Sequence, residues 1–261
     1  PQFAVPTLEA LLRAGHTVDL VLSQPDRASG RDLNVTFSAV KQFAEQHGLP
    51  LAQPEKIRHN TDLQHTLGDL APDAIIVVAY GRIIPPWMLV LPRHGNLNLH
   101  ASLLPKYRGA APIQWAVANG ELVTGVTTMR LDAGLDTGDL LLAQVVPVAL
   151  EETAADVCEG LAAVGAGLMV ETLCGLADGS LYAQAQDQSL ATLAPILKRE
   201  DGWIDFSLTA KQIYDRWRGF QPWPGAHTVL RGKKLIVHRM RLVERPLGAE
   251  ECMLVVQGDS M

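Results

Sequence analysis

Along the first two-thirds of the chain, stretches with apolar residues every three or four positions alternate with short, unbroken apolar runs. That alternation predicts β-α-β units, with helices packed on a parallel sheet. Residues 5–14 place Val5, Leu8, Leu11 and Leu12 on one helical face and stop at Gly15, a natural C-terminal glycine. A strand is expected at 17–22, a helix at 38–46 behind Ser38 as N-cap, and an amphipathic helix at 61–70. DAIIVVAYG (73–81) is apolar without alternation, the pattern of a central parallel strand covered on both faces. Residues 96–100, 126–131 and 140–148 read as further strands, and 112–119 as a helix with Pro near its start. A long helix is expected at 153–177, with a break at the glycines of 165–167.

From about residue 198 the texture changes. A helix at 209–220 runs into the rigid turn QPWPGAHT. Short strands at 228–230, 235–239 and 253–256 follow, separated by RGKK and PLGAEE, a spacing that suggests a small β-barrel. The expected division is an α/β domain at 1–190, a linker and helix at 191–224, and the start of a barrel at 225–261. The chain opens on PQFAVPTLEALLRAG without an initiator methionine and closes on MLVVQGDSM, so it reads as a piece of a longer sequence.

With 261 residues, 48% of them hydrophobic, there is enough apolar material for a well-buried core. The runs AIIVVAY and 161–170 read as too short or too glycine-interrupted to span a bilayer, which takes about 20 residues. Cys158, Cys174 and Cys252 show no CxxC spacing, so reduced thiols in a cytoplasmic protein are expected. A monomer is the working expectation. The net charge of -6 argues against a nucleic-acid partner until it is divided. Residues 1–197 carry 11 Lys and Arg against 20 Asp and Glu, whereas 198–245 carry 11 against 5. The C-terminal part is therefore a basic segment inside an acidic protein, either a solvated surface or a polyanion-binding one.

The candidate chemistry lies in HGNLNLHASLLPKYRGAAPIQ (94–114). In a strand alternate residues share a face, so Asn98 and His100 point one way and Leu97 and Leu99 the other. They stand just before the 102–105 loop, at the carboxyl edge where open α/β sheets bind ligands. A second loop, LDAGLDTGD (131–139), is expected to reach the same edge with Asp132, Asp136 and Asp139, and Gly134 and Gly138 allow close approach. An amide, an imidazole and a carboxylate suit acyl transfer to an amine. The first two can hold the tetrahedral oxyanion, at about 3 kcal/mol per donor, and the third can orient the ring or take the proton. No metal is required. By itself Asn-x-His is a weak signal, more often a satisfied structural pair than a catalytic one. Ser102 lies outside any GxSxG elbow and reads as a loop residue. The chain contains no GxGxxG, which counts against a dinucleotide-dependent oxidoreductase.

NLNLHASLLPKYRGAAPIQWA, followed by LDAGLDTGDLL with Asp136 36 residues beyond His100, resembles the signature of the folate-dependent formyltransferases. The resemblance implies a Rossmann-like α/β domain followed by an OB-like one, and 10-formyltetrahydrofolate as co-substrate. It implies Asn98, His100 and Asp136 as the catalytic trio. It also implies a folate site formed by Ala79, Tyr80, Gly81, Ile83 and Ile84, by the loop of Ser102, Leu103, Leu104 and Pro105, and by the backbone of Asp132, Ala133, Gly134 and Leu135. PQFA is similar to the end of a GTPxFA loop that follows the family's first strand.

QPDRASGRDLNVTFSAVKQ (24–42) resembles the insertion by which family members acting on initiator methionyl-tRNA grip the acceptor stem, and Arg31 matches its arginine. The segment from 198 to 235 resembles the family's linker and the opening of its OB-like domain. The resemblance therefore points to methionyl-tRNA as acceptor, with Arg31, Lys106, Arg108, Arg231, Lys233 and Lys234 as candidate tRNA contacts. Asp32, Leu33 and Asn34 stand where more basic residues are common, implying a weaker grip from that loop. The alternative is a small amine acceptor, such as glycinamide ribonucleotide or an amino sugar nucleotide, or a formyltetrahydrofolate hydrolase. Those enzymes would share the trio but need neither the basic segment nor the insertion.

Overall fold

The computed structural model describes residues 1–29 and 34–243. Helix α1 (Val5–Arg13) precedes strand β1 (Val21–Leu22), the hairpin β2 (Arg27–Ser29) and β3 (Asn34–Thr36), helix α2 (Ala39–Gln46) and β4 (Leu51–Ala52). Then come α3 (Thr61–Leu70), β5 (Ile75–Val77), α4 (Pro86–Leu89), β6 (Asn96–His100) and β7 (Arg108–Gly109). α5 (Pro112–Ala118), β8 (Val123–Arg130), β9 (Leu140–Pro147) and α6 (Ala154–Ala177) follow. β10 (Leu193–Ala194), α7 (Ala210–Gly219) and the hairpin β11 (Ala226–Leu230) and β12 (Lys233–Val237) complete the described chain.

Parallel pairing, expected of β-α-β units, joins β1 to β4 and β5 to β6. Beyond β6 the main sheet, ordered β5-β6-β8-β9, turns antiparallel at both remaining junctions. The nine residues between β8 and β9 contain no helix, and parallel strands need a crossover of a dozen or more residues. The DAIIVVAYG expectation needs correcting as well. Its strand is only three residues long, half-buried, and last in the hydrogen-bonded order of the described residues. A backbone turn at Ala79, φ +47, ends the run.

Local signals explain the helices. Ser38 accepts from the Lys41 amide and Asn60 from the Leu63 amide, as N-caps should. Thr153 with Asp156, and Thr209 with Gln212, form reciprocal capping boxes at α6 and α7. Helix α6 runs unbroken for 24 residues, so the break expected at 165–167 does not occur. Gly165 is there for contact: a Cβ on it would lie 2.6 Å from Leu99 Cδ2, where the helix crosses β6. By length and composition α6 could cross a membrane, correcting the reading of 161–170 as too interrupted. Val157, Leu161, Gly165, Leu168 and Thr172 form a buried stripe at helical spacing, as on a core helix.

The C-terminal segment docks on this unit through α7. Gly219 lies so close to α5 that a Cβ would sit 2.5 Å from the Ala118 nitrogen. Trp115 and Phe220 meet edge to face at 5.4 Å. Arg218, almost wholly buried, donates to the carbonyls of Ala149 and Glu152 and to Asp215. The hairpin β11–β12 matches two of the three expected barrel strands, and the third, at 253–256, lies outside the described residues.

Candidate active site

The alternation along β6 separates its two faces. Leu97 and Leu99 join the core cluster that includes Leu161 and Met169 of α6. Asn98 and His100 consequently take the opposite face, Asn98 between Val77 and Met129 and His100 beside Thr127. Both are buried, at 9% and 5% exposure. Among the described residues the Asn98 side-chain amide makes no hydrogen bond.

His100 is fixed by the loop that follows it. The Thr127 hydroxyl donates to the Ser102 carbonyl at 2.7 Å and accepts from the Leu104 amide at 3.2 Å. Ser102 in turn donates its hydroxyl to the Lys106 carbonyl at 2.6 Å. The chain then turns through Tyr107, φ +60, whose amide donates to Thr192 Oγ1. That turn aims the Tyr107 carbonyl at His100 Nε2, 2.9 Å away. A carbonyl can only accept, so Nε2 carries a hydrogen and Nδ1 is left to face the site. The Tyr107 ring anchors the turn by donating its hydroxyl to Glu121 at 2.8 Å. Burial, foremost, pushes that phenol up to about 12, so it stays a donor at any working pH.

Nδ1 stands 3.6 Å from Asp136 Oδ2. The separation is too long for a hydrogen bond. Asp136 does not arrive by the expected route. Because β8 is antiparallel to β6, the 131–139 loop leaves beside Asn96, at the strand's amino end, and folds back to bring Asp136 to His100. The backbone of Asp136 is left-handed, φ +52, a conformation costing a side-chain-bearing residue about 1 kcal/mol. Gly138 is obligatory, since a Cβ there would fall 1.7 Å from the Arg130 carbonyl oxygen.

Of the three loop acids only Asp136 meets the imidazole. Asp132 is used inside the loop, accepting from the Gly134 amide and the Thr137 hydroxyl, and the Asp139 carbonyl accepts from the Arg130 amide. The Asp136 carboxylate takes the Gly109 amide at 2.8 Å. The carbonyls of Asp136 and Gly138 both accept from Gln186 Nε2, at 2.9 and 2.7 Å. Neither Gly109 nor Gln186 carries a sequence signal for this role, one acting through backbone and the other from 50 residues away.

The residues expected around a folate divide. Ala79, Ala133, Gly134 and Leu135 are exposed in loops, Leu135 at 63%, and Ile83 at 90%. The Tyr80 ring and Ile84 are half-buried and pack on the cluster of Ile57, Leu63, Leu67 and Met88. Leu104 is likewise buried and Leu103 half-buried. Arg108, expected at a tRNA surface, is the clearest correction. It is 6% exposed, with its guanidinium donating to Gln186 and Gln188. Lys106 is exposed beside Glu121, and Arg231, Lys233 and Lys234 are exposed on the β11–β12 hairpin. Arg31 lies outside the described residues.

The family match and the relatives place this chain in a formyl-transferring class. Residues 1–173 match the formyl transferase family and residues 196–259 its C-terminal domain; the chain belongs to that family. It is 64% identical over 256 residues to the methionyl-tRNA formyltransferase of Acidobacterium capsulatum, covering 98% of this chain and 82% of that one. To the methionyl-tRNA formyltransferase of Koribacter versatilis it is 55% identical, covering 100% and 83%. Among solved structures, a 4-N formyltransferase from Francisella tularensis superposes with a TM-score of 0.70 at 17% identity, over 91% of this chain and 93% of that one. HypX from Aquifex aeolicus in complex with tetrahydrofolic acid gives 0.61 at 20% identity, over 83% and 36%. At such identities these likenesses establish the fold.

Proposed function

We propose that this chain transfers the formyl group of 10-formyltetrahydrofolate to the α-amino group of initiator methionyl-tRNA. The observation that carries the chemistry is the meeting of His100 Nδ1 and Asp136 Oδ2 at 3.6 Å, beside an Asn98 amide left without a partner. The amine, with a pKa near 8, is substantially neutral at pH 7 and attacks the formyl carbon. As its nitrogen bonds to that carbon, the carbonyl oxygen turns negative and the Asn98 N–H donates to it. The His100–Asp136 pair receives the proton lost by the amine. Collapse breaks the bond from carbon to the folate N10, and the proton passes to that nitrogen.

The proposed folate site is bounded by the 79–84 loop, through the backbone of Tyr80 and Ile84 and the exposed Ile83, with the 102–105 loop and Ala133, Gly134 and Leu135. The acceptor rests on the two methionyl-tRNA formyltransferases above and on the basic segment, with Lys106, Arg231, Lys233, Lys234 and Arg31 proposed to meet phosphates. We divide the chain into a formyltransferase domain at 1–190, a linker at 191–224 and the start of an OB-like domain at 225–261. The buried stripe on α6 supports a globular enzyme away from the membrane, here assigned to the cytoplasm as a monomer.

A formylation assay with 10-formyltetrahydrofolate tests this reading, offering methionyl-tRNA, glycinamide ribonucleotide and an amino sugar nucleotide in parallel. Only the charged tRNA should be formylated. Transfer confined to either small amine overturns the acceptor, and no transfer to any of them overturns the reaction.

A further inference from the structure

The Asp136 loop is held in its left-handed turn from outside. Gln186 is 6% exposed and belongs to the irregular segment between β9's partner residue Gln184 and β10. Its Oε1 accepts from Arg108 Nε at 3.1 Å and from a terminal guanidinium nitrogen at 2.6 Å. An arginine only donates, so those bonds fix which end of the amide is oxygen. Both hydrogens of Nε2 therefore point the other way, to the carbonyls of Asp136 and Gly138.

Arg108 is itself locked. Its third guanidinium bond goes to Gln188, its backbone amide to the Thr192 carbonyl, and β7 pairs with β10. Gly109, the next residue, gives its amide to the Asp136 carboxylate. The backbone and the carboxylate of Asp136 are thus held by two neighbouring points on one rigid strand, one of them reached through Gln186. This pair of bonds, one hydrogen to each carbonyl, holds the loop in the path that brings Asp136 to His100.

We propose that Gln186, oriented by Arg108, is a positioning residue for the transfer reaction, acting on the reacting centre only through Asp136. The inference rests on the site reading above. A displacement of about 1 Å at a reacting group can cost on the order of 100-fold in rate. Gln186→Met keeps the volume and removes both amide functions. It should lower kcat by about 10- to 100-fold while KM for folate and acceptor moves less than about 3-fold. Gln186→Glu keeps a partner for Arg108, and so a stable fold, but turns an acceptor toward two carbonyls; it should lose at least as much kcat. In an Asp136→Asn background, Gln186→Met should cost nothing more, because residues acting through one another are not additive.

Wild-type kcat in the Glu variant, or a fully additive loss in the double variant, overturns the inference. If Asp136→Asn alone leaves turnover intact, the site reading fails. If that variant is impaired while the Gln186 variants are not, only this inference does.

Discussion

Helix α6 and the 131–139 loop are stabilised in opposite ways. The helix carries its own instructions: a capping box at Thr153, an apolar stripe, and a glycine where it crosses Leu99. Its packing energy comes from non-directional burial, spread over many residues. The loop buries little apolar surface and is held by directional bonds from Gly109 and Gln186, far away in sequence. The comparison teaches that stability and turnover are written into different parts of the molecule, and substitutions should separate them.

The largest effects should come from the site. Asn98→Ala and Asp136→Asn are each expected to lower kcat by about 100- to 1,000-fold, with melting temperatures close to the parent. Steady-state formylation and thermal melts check both halves. A large drop in melting temperature would mean that the two regions are not separable. Leu161→Ala, in the fully buried stripe of α6, should do the reverse. A loss of about 2–5 kcal/mol in a denaturant titration is expected, with kcat nearly unchanged at a temperature where the chain stays folded.

Thr153→Ala removes only the cap, and should cost about 1 kcal/mol of stability without touching KM. The smallest effect belongs to the hairpin cations. Lys234→Ala should weaken tRNA binding modestly and flatten the dependence of log affinity on log salt by roughly one unit. An unchanged slope in filter-binding across a salt series would remove Lys234 from the proposed contact.

What could be read from the sequence follows the same division. The helices at 39–46, 61–70 and 154–177 were legible because caps and helical spacing are local signals. The pairing of Asn98 with His100 on one face was legible from alternation alone. The antiparallel turn of the sheet was not, because a period of two carries no direction; hence the sequence suggests a shared edge where the loop in fact returns over the strand. Arg108 shows the other limit. Its place after the 102–105 loop suggests a tRNA-facing surface, and only the fold reveals that two glutamines 78 and 80 residues away receive it. Ile83 and Ile84 are neighbours of the same type, yet one is exposed and the other packs inward, a choice made by where the backbone turns after Gly81.

The oxygen that orients His100 belongs to the main chain of residue 107, not to its side chain. No exchange of one amino acid for another deletes that atom; only a different path of the polypeptide can. The imidazole's orientation is therefore protected from ordinary mutation at its contact point and exposed to it elsewhere, at Thr127, Thr192 and Glu121, whose side chains hold the turn. A mutational survey of this enzyme would find those three sensitive and see nothing at the atom they serve.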